Sequence, residues 1–262
     1  MIASLDERMK QLGFIIIFLL TYSIVSAQET RVTFGFLAEP IIPTRLFRIT
    51  DDVTRISDVT SGNDIIFTSS PRYGYAFGTI LKFDFTPRLS AETGINYLVR
   101  HYEMSSEEGI ERFSMRFMED SYELPLTMKY FIRLGARLYL SNAAGVSLMF
   151  IPGSVQAQTG RGVETDNDYL FFRQHSFIRR TMLPAFKGGF GLNYRSEDIG
   201  EFYFETYYRL FSVFYDTRLS YYNALTGTDL VNVNIRSIGD YFGFSIKYTF
   251  PSSKLMRREK KE

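Results

Sequence analysis

His101 and His175 are the only histidines in the 262-residue sequence, and there is no cysteine. They are therefore the only side chains whose ordinary pKa suits a general base near neutral pH. A hydrolytic site would need one of them beside a hydroxyl or carboxylate nucleophile and an orienting acid. His175 is followed by Ser176 and preceded by Asp168, and His101 is followed closely by Glu103. Residues this near one another in sequence do not specify a triad, whose members meet through the fold, so no catalytic residue is assigned. Glu164, Asp166 and Asp168 could contact a hard cation. That stretch lacks the turn glycine and spaced final glutamate of a calcium loop. It reads as a solvated acidic loop, and neither a metal nor a cofactor is expected. The net charge of +1 gives no sign of a nucleic-acid partner.

The remaining charges follow a pattern. Ser121–Phe131 reads SYELPLTMKYF, with Tyr122, Leu124, Leu126, Met128 and Tyr130 alternating against Glu123, Pro125, Thr127, Lys129 and Phe131. Side chains of a strand point to opposite faces with period two, so this is a strand with one apolar and one polar face. The same alternation marks Arg31–Leu37 (continuing through Ile42), Tyr75–Phe85, Leu89–Tyr102, Leu138–Ile151, Pro184–Tyr194, Phe202–Phe211 and Phe242–Phe250. Short turns at Thr86–Arg88, Arg133–Ala136 and Ser196–Gly200 trade places with long polar stretches at Arg48–Gly74, Ser105–Asp120, Pro152–Arg180 and Asp216–Arg236, which read as loops. With 25 Phe, 18 Tyr and 19 Gly, the composition also favours strands. The pattern predicts an all-β fold, an eight-stranded antiparallel transmembrane β-barrel with short periplasmic turns and long outer loops.

Alternation alone leaves open which face is inside. Eight strands enclose room only for side chains or one small ligand. Phe77, Phe83, Tyr97, Tyr122, Phe150, Phe186, Phe190, Phe204 and Phe244 are too bulky to share it, whereas Gly78, Gly94, Gly145, Gly189, Gly191 and Gly243 fall on the polar face. The apolar face is therefore expected to meet lipid. The lumen would then hold Lys82, Arg100, Lys129, Lys187, Arg209 and Lys247 with Asp84, Glu92, Glu123 and Glu205. Unpaired charges cannot be kept in such a space, so these ten residues are expected to form a structural network of ion pairs that plugs it. Pro125 lacks a ladder donor, which predicts a local bulge or a missing hydrogen bond.

Arg8 and Lys10 precede the apolar run Leu12–Leu20, and Val25-Ser26-Ala27 offers small residues at a cleavage site. Residues 1–27 read as a secretory signal peptide. Residues 28–250 form the barrel, and 251–262 are a basic periplasmic tail whose Lys254, Arg257, Arg258, Lys260 and Lys261 could touch anionic lipid or a periplasmic protein. The leader ending VSAQ, the YELPLTMKYF strand and the closing FGFSIKYTF resemble the outer-membrane β-barrel family of Bacteroidetes, described as porin-family or PorT-like. Glu123, Pro125, Leu126, Lys129 and Tyr130 match its recurring strand. The basic tail beyond Phe250 departs from the usual terminal aromatic. The resemblance implies residence in the cell outer membrane and no definite activity; the association of PorT itself with type IX secretion is not carried by these residues. The expected function is non-enzymatic: a plugged barrel that presents outer loops to a surface partner or supports envelope or secretion assembly. The alternatives are a small passive pore, a membrane-embedded hydrolase and a soluble ligand-binding barrel.

Overall fold

The structure is a computed structural model that describes residues 31–44, 53–57, 62, 64–161, 170–178, 181–211, 213–238 and 240–251. The leader, the acidic stretch with Glu164, Asp166 and Asp168, and the basic residues of the tail lie outside these. The described residues form fourteen strands: β1 (Arg31–Pro43), β2 (Val53–Ser57), β3 (Asp64–Thr86), β4 (Leu89–Thr93), β5 (Asn96–Glu108), β6 (Glu111–Arg133), β7 (Leu138–Phe150), β8 (Val155–Arg161), β9 (Leu170–Ile178), β10 (Met182–Ser196), β11 (Gly200–Phe211), β12 (Val213–Asn223), β13 (Thr228–Ile238) and β14 (Tyr241–Thr249).

All pairings are antiparallel. Those of the larger sheet run from β1 through β14, β11, β10, β7 and β6 to β4 and β5, then to β3, which pairs with β1 again. β4 and β5 share one position in this circuit. Thr93 faces Leu126 and Asn96 faces Glu123, so Gly94 and Ile95 lie opposite Pro125 and Leu124 with no residue inserted. The missing donor of Pro125 thus breaks the ladder on the neighbouring strand without a bulge, in keeping with what proline removes from a sheet. Pro125 stays in register with Ser147 on its other side.

The two ends of the sheet differ. At the end carrying the short turns, side chains facing the enclosed space are polar and those facing outward are apolar. At the other end β3, β5 and β6 extend well past their neighbours, and the polarity inverts. β6 shows this within one strand, because its odd-numbered residues face inward throughout. In its first part they are Phe113, Met115 and Phe117, all buried; further along they are Glu119, Ser121, Glu123, Thr127 and Lys129. Outward, Arg112, Ser114 and Arg116 give way to Tyr122, Leu124, Leu126, Met128 and Tyr130.

Here the structure corrects the sequence reading. The stretches read as long polar loops are largely strands, either extensions of β3, β5 and β6 or members of a second sheet ordered β13-β12-β9-β8. The inward residues of that sheet, among them Leu170, Phe172, Leu219, Tyr221, Val233 and Ile235, join Ile65, Phe67, Met104, Phe113, Met115 and Phe117 in one apolar core. Phe67 and Phe172 meet across it with ring centroids 6.3 Å apart. These segments kept a period of two, but with outward polar residues frequent enough to resemble loop composition.

Candidate functional site

The chemistry-bearing side chains converge on the enclosed space, where period-two alternation on β1, β3, β4, β5, β6, β10, β11 and β14 aims them. At its centre the Glu205 carboxylate receives three lysines: Lys129 at 2.7 Å, Lys187 at 3.1 Å and Lys247 at 3.2 Å. Lys129 and Lys247 also bind Glu92, at 2.9 and 3.1 Å. Lys187 reaches Glu39 at 3.6 Å. Toward the second sheet, Arg209 donates to Glu123 at 2.6 Å, and Arg100 pairs with Glu119 at 3.1 Å. Toward the short turns, Lys82 lies 2.6 Å from Glu201 and 3.0 Å from Asp84. The structure thus brings all ten charged residues singled out in the sequence into ion pairs, nine of them buried and Asp84 partly so.

Aromatic rings fill the gaps. Lys187 lies 3.8 Å from the Tyr207 ring centroid, and Lys129 lies 4.4 Å from that of Tyr203. The Tyr207 hydroxyl donates to Glu39 at 2.7 Å and that of Tyr203 to Glu201 at 2.5 Å. Space for the Tyr207 ring comes from glycine. A Cβ on Gly243 would collide with the Cζ and hydroxyl of Tyr207, and one on Gly189 would approach Tyr207 Cβ to 2.6 Å. Glu39, Glu119, Arg195, Glu201, Tyr203 and Tyr207 are members that sequence reasoning passed over. Parity would have found five of them, which share a face with a residue that was chosen: Glu201, Tyr203 and Tyr207 with Glu205, Arg195 with Lys187, and Glu119 with Glu123; Glu39 is on β1, which carries none of the chosen residues. Glu119, Arg195 and Glu201 were passed over because the predicted strands end just short of them, whereas Glu39, Tyr203 and Tyr207 lie within predicted strands.

This arrangement has little room to transmit anything. Among these charges lies a space of about 20 Å³, lined by Glu39, Glu92, Lys187, Arg209 and Lys247 among others. That volume holds about one water. A wider recess of about 690 Å³ opens at the short-turn end, bordered by Arg31, Asp84, Arg137, Arg195 and Glu201. Each of the central carboxylates Glu92, Glu123 and Glu205 is paired with at least one cation.

The histidines are elsewhere. His101 faces outward on β5, its Nδ1–H donating to the Tyr73 carbonyl at 3.0 Å. His175 is on β9 rather than in a loop, its ring tilted against that of Phe177 with centroids 3.8 Å apart. Adjacent residues of a strand point to opposite faces, so Ser176 is turned away from His175, and its hydroxyl meets that of Thr217 at 2.7 Å instead. Asp168 lies outside the described residues. Among the described residues no group of three or more His, Asp or Glu could hold a metal ion.

At the far end of the second sheet, the β5–β6 hairpin turns tightly through Gly109 (φ 56°) and is tied to the β12–β13 hairpin. The buried Glu108 carboxylate accepts hydrogen bonds from Tyr221 at 2.8 Å, Asn223 at 2.9 Å, Thr226 at 3.0 Å, and Thr228. The lock leaves Ile110 at the tip of one hairpin and Leu225 at the tip of the other, both strongly exposed.

No family model and no curated protein matches this sequence. Among solved structures, it is similar to the outer membrane protein OprG of Pseudomonas aeruginosa (11% identity over 85% of this chain and 97% of that one, TM-score 0.45). The transport unit of the autotransporter AIDA-I of Escherichia coli follows at 10% identity over 86% and 90%, with a TM-score of 0.32. The β domain of the Bordetella autotransporter Brka matches at 10% identity over 83% and 100%, with a TM-score of 0.19. Likeness at this level assigns no activity.

Proposed function

We propose that this chain is a non-enzymatic outer-membrane protein. In this reading a leader exports it, β1, β3, β4/β5, β6, β7, β10, β11 and β14 close an eight-stranded transmembrane barrel with a plugged lumen, and the second sheet stands outside the cell. The observation that carries the reading is the inverted polarity of the sheet. Large apolar side chains face outward all round the short-turn end while lysines and glutamates are buried within, the arrangement that lipid outside and confined polar space inside require. On β6 the outward apolar run from Tyr122 to Ile132 stands about 26 Å high at ~3.4 Å per residue and a tilt of ~40°, against ~25 Å for the apolar band of outer-membrane barrels. The charge-packed centre argues for a structural plug in preference to a pore.

The proposed role is presentation. The plug and the apolar core above it hold two locked hairpins away from the membrane, with Ile110 and Leu225 offered to a surface partner or to envelope or secretion assembly. The test is fractionation of cells expressing the full chain. A heat-modifiable band in the outer-membrane fraction is expected, and recovery as soluble periplasmic protein overturns the reading. In planar bilayers the purified protein should give no discrete conductance; steady single-channel steps would favour the pore.

A further inference from the structure

The outer surface carries a second cluster of charge just above the apolar belt, where β3, β5 and β6 run side by side. Arg72 faces His101 across the β3–β5 ladder, and Tyr75 faces Val99. One extra residue therefore sits on β3 between them, a bulge that turns Arg72 and Tyr73 outward together. Arg116 on β6 faces Glu103 on β5. Both guanidiniums use one oxygen, Glu103 Oε2: Arg72 Nη2 at 2.9 Å and Arg116 Nε at 3.0 Å. Their side chains remain 54% and 79% exposed, so most of their donors face solvent. Hydrogen bonds from Arg116 and then Arg72 hold the Glu103 carboxyl below its usual range. It stays ionised, and the trio keeps a net positive charge. Between the arginines, Tyr73, His101 and Met118 line an open groove of about 480 Å³.

The groove's height decides what it meets. Directly below it the outward rings of Phe77, Tyr97 and Tyr122 form a row with successive centroids 5.4 Å apart. Tyrosines in such a row belong at the membrane–water interface. His101 stands about 10 Å higher, allowing for ~3.4 Å per residue and strand tilt, which is the level of lipid phosphates. Tyr73 and Met118 continue an apolar surface up to that level, and both are largely exposed.

The geometry points to a headgroup site: Arg72 and Arg116 clamp the phosphate of an anionic lipid in the outer leaflet, whose glycerol or sugar moiety rests on Tyr73 and Met118. Guanidinium forks suit phosphate oxygens, and two forks prealigned on Glu103 lose little freedom on binding. The inference rests on the membrane reading above.

The test uses the full mature chain in nanodiscs of phosphatidylcholine doped with phosphatidylglycerol or lipid A, followed by native mass spectrometry. The wild type should retain the anionic lipids, and Arg72→Gln/Arg116→Gln should lose that retention by about tenfold, the worth of charge-assisted hydrogen bonds. Arg116→Gln alone, at the more exposed position, should lose part of it, and Arg72→Lys/Arg116→Lys should recover part. Equal retention by the wild type and both glutamine variants overturns the site. A third arm offers inorganic phosphate alone to the detergent-solubilised protein; saturation there would overturn the lipid assignment. Insertion into phosphatidylcholine nanodiscs with heat-modifiable mobility but without anionic enrichment refutes only the headgroup site, whereas failure to insert refutes both readings.

Discussion

The two halves of β6 obey opposite rules on one unbroken strand. From Tyr122 onward its outward residues are apolar and its inward ones include the charged Glu123 and Lys129; from Arg112 to Arg116 its outward residues are polar, while inward Phe113, Met115 and Phe117 are apolar. Backbone geometry is the same in both, and so is the side-chain period. What differs is the medium on each side. In the lower half we assign lipid to the outside and a space filled by ion pairs to the inside; in the upper half water lies outside and an apolar core inside. On that assignment the apolar belt ends between Glu119 and Tyr122, where the outward Asp120 and the buried Arg100–Glu119 pair mark the change of polarity.

The comparison breaks most easily at its charged centre. Glu205→Ala leaves Lys129, Lys187 and Lys247 around a neutral gap and is expected to destabilise the folded barrel by about 3–5 kcal/mol, because it strands buried charges. Urea titration of the protein folded into lipid vesicles measures this. Unchanged stability would mean that water, not the carboxylate, satisfies the lysines. The next largest effect contrasts two outward positions on β6. Leu126→Arg places a charge in the belt and should cost about 2–4 kcal/mol, whereas Ser114→Arg on the same face should stay within about 0.5 kcal/mol. Equal costs would deny that the halves face different media. The smallest contrast compares methionines. Met115, buried in the upper core, should lose about 2 kcal/mol on truncation to Ala, and the outward Met128 less than about 1 kcal/mol, since lipid tails replace the lost contacts. The same titration reads both.

Much of this was legible in the sequence. In Ser121–Phe131 the alternation fixes the strand, and the segregation of Glu123 and Lys129 from Leu124, Leu126 and Met128 tells which residues share a face. The bulk of the rings against the glycines of the opposite face tells which side is inside. The upper half was not legible in the same way. Phe113, Met115 and Phe117 alternate as regularly as Leu124, Leu126 and Met128, but a pattern gives no sign of which solvent its polar face meets. The charged and polar residues of Ser105–Asp120, Arg112, Ser114 and Arg116 among them, give that stretch the composition of a loop. The bulge in β3 hid the extension further, because the inward parity shifts between Ser69 and Ala76.

Period-two alternation, side-chain size and formal charge are local properties, and by themselves they determined the all-β class, the face of each lower strand and the ten charged residues that meet inside. Partnership is not local. That Glu205 gathers lysines from β6, β10 and β14, that Glu108 ties two distant hairpins, and that Arg72 and Arg116 share Glu103 follow from register and strand order. Those depend on pairings between residues far apart in the chain, and only the full set of ladders decides which charge meets which.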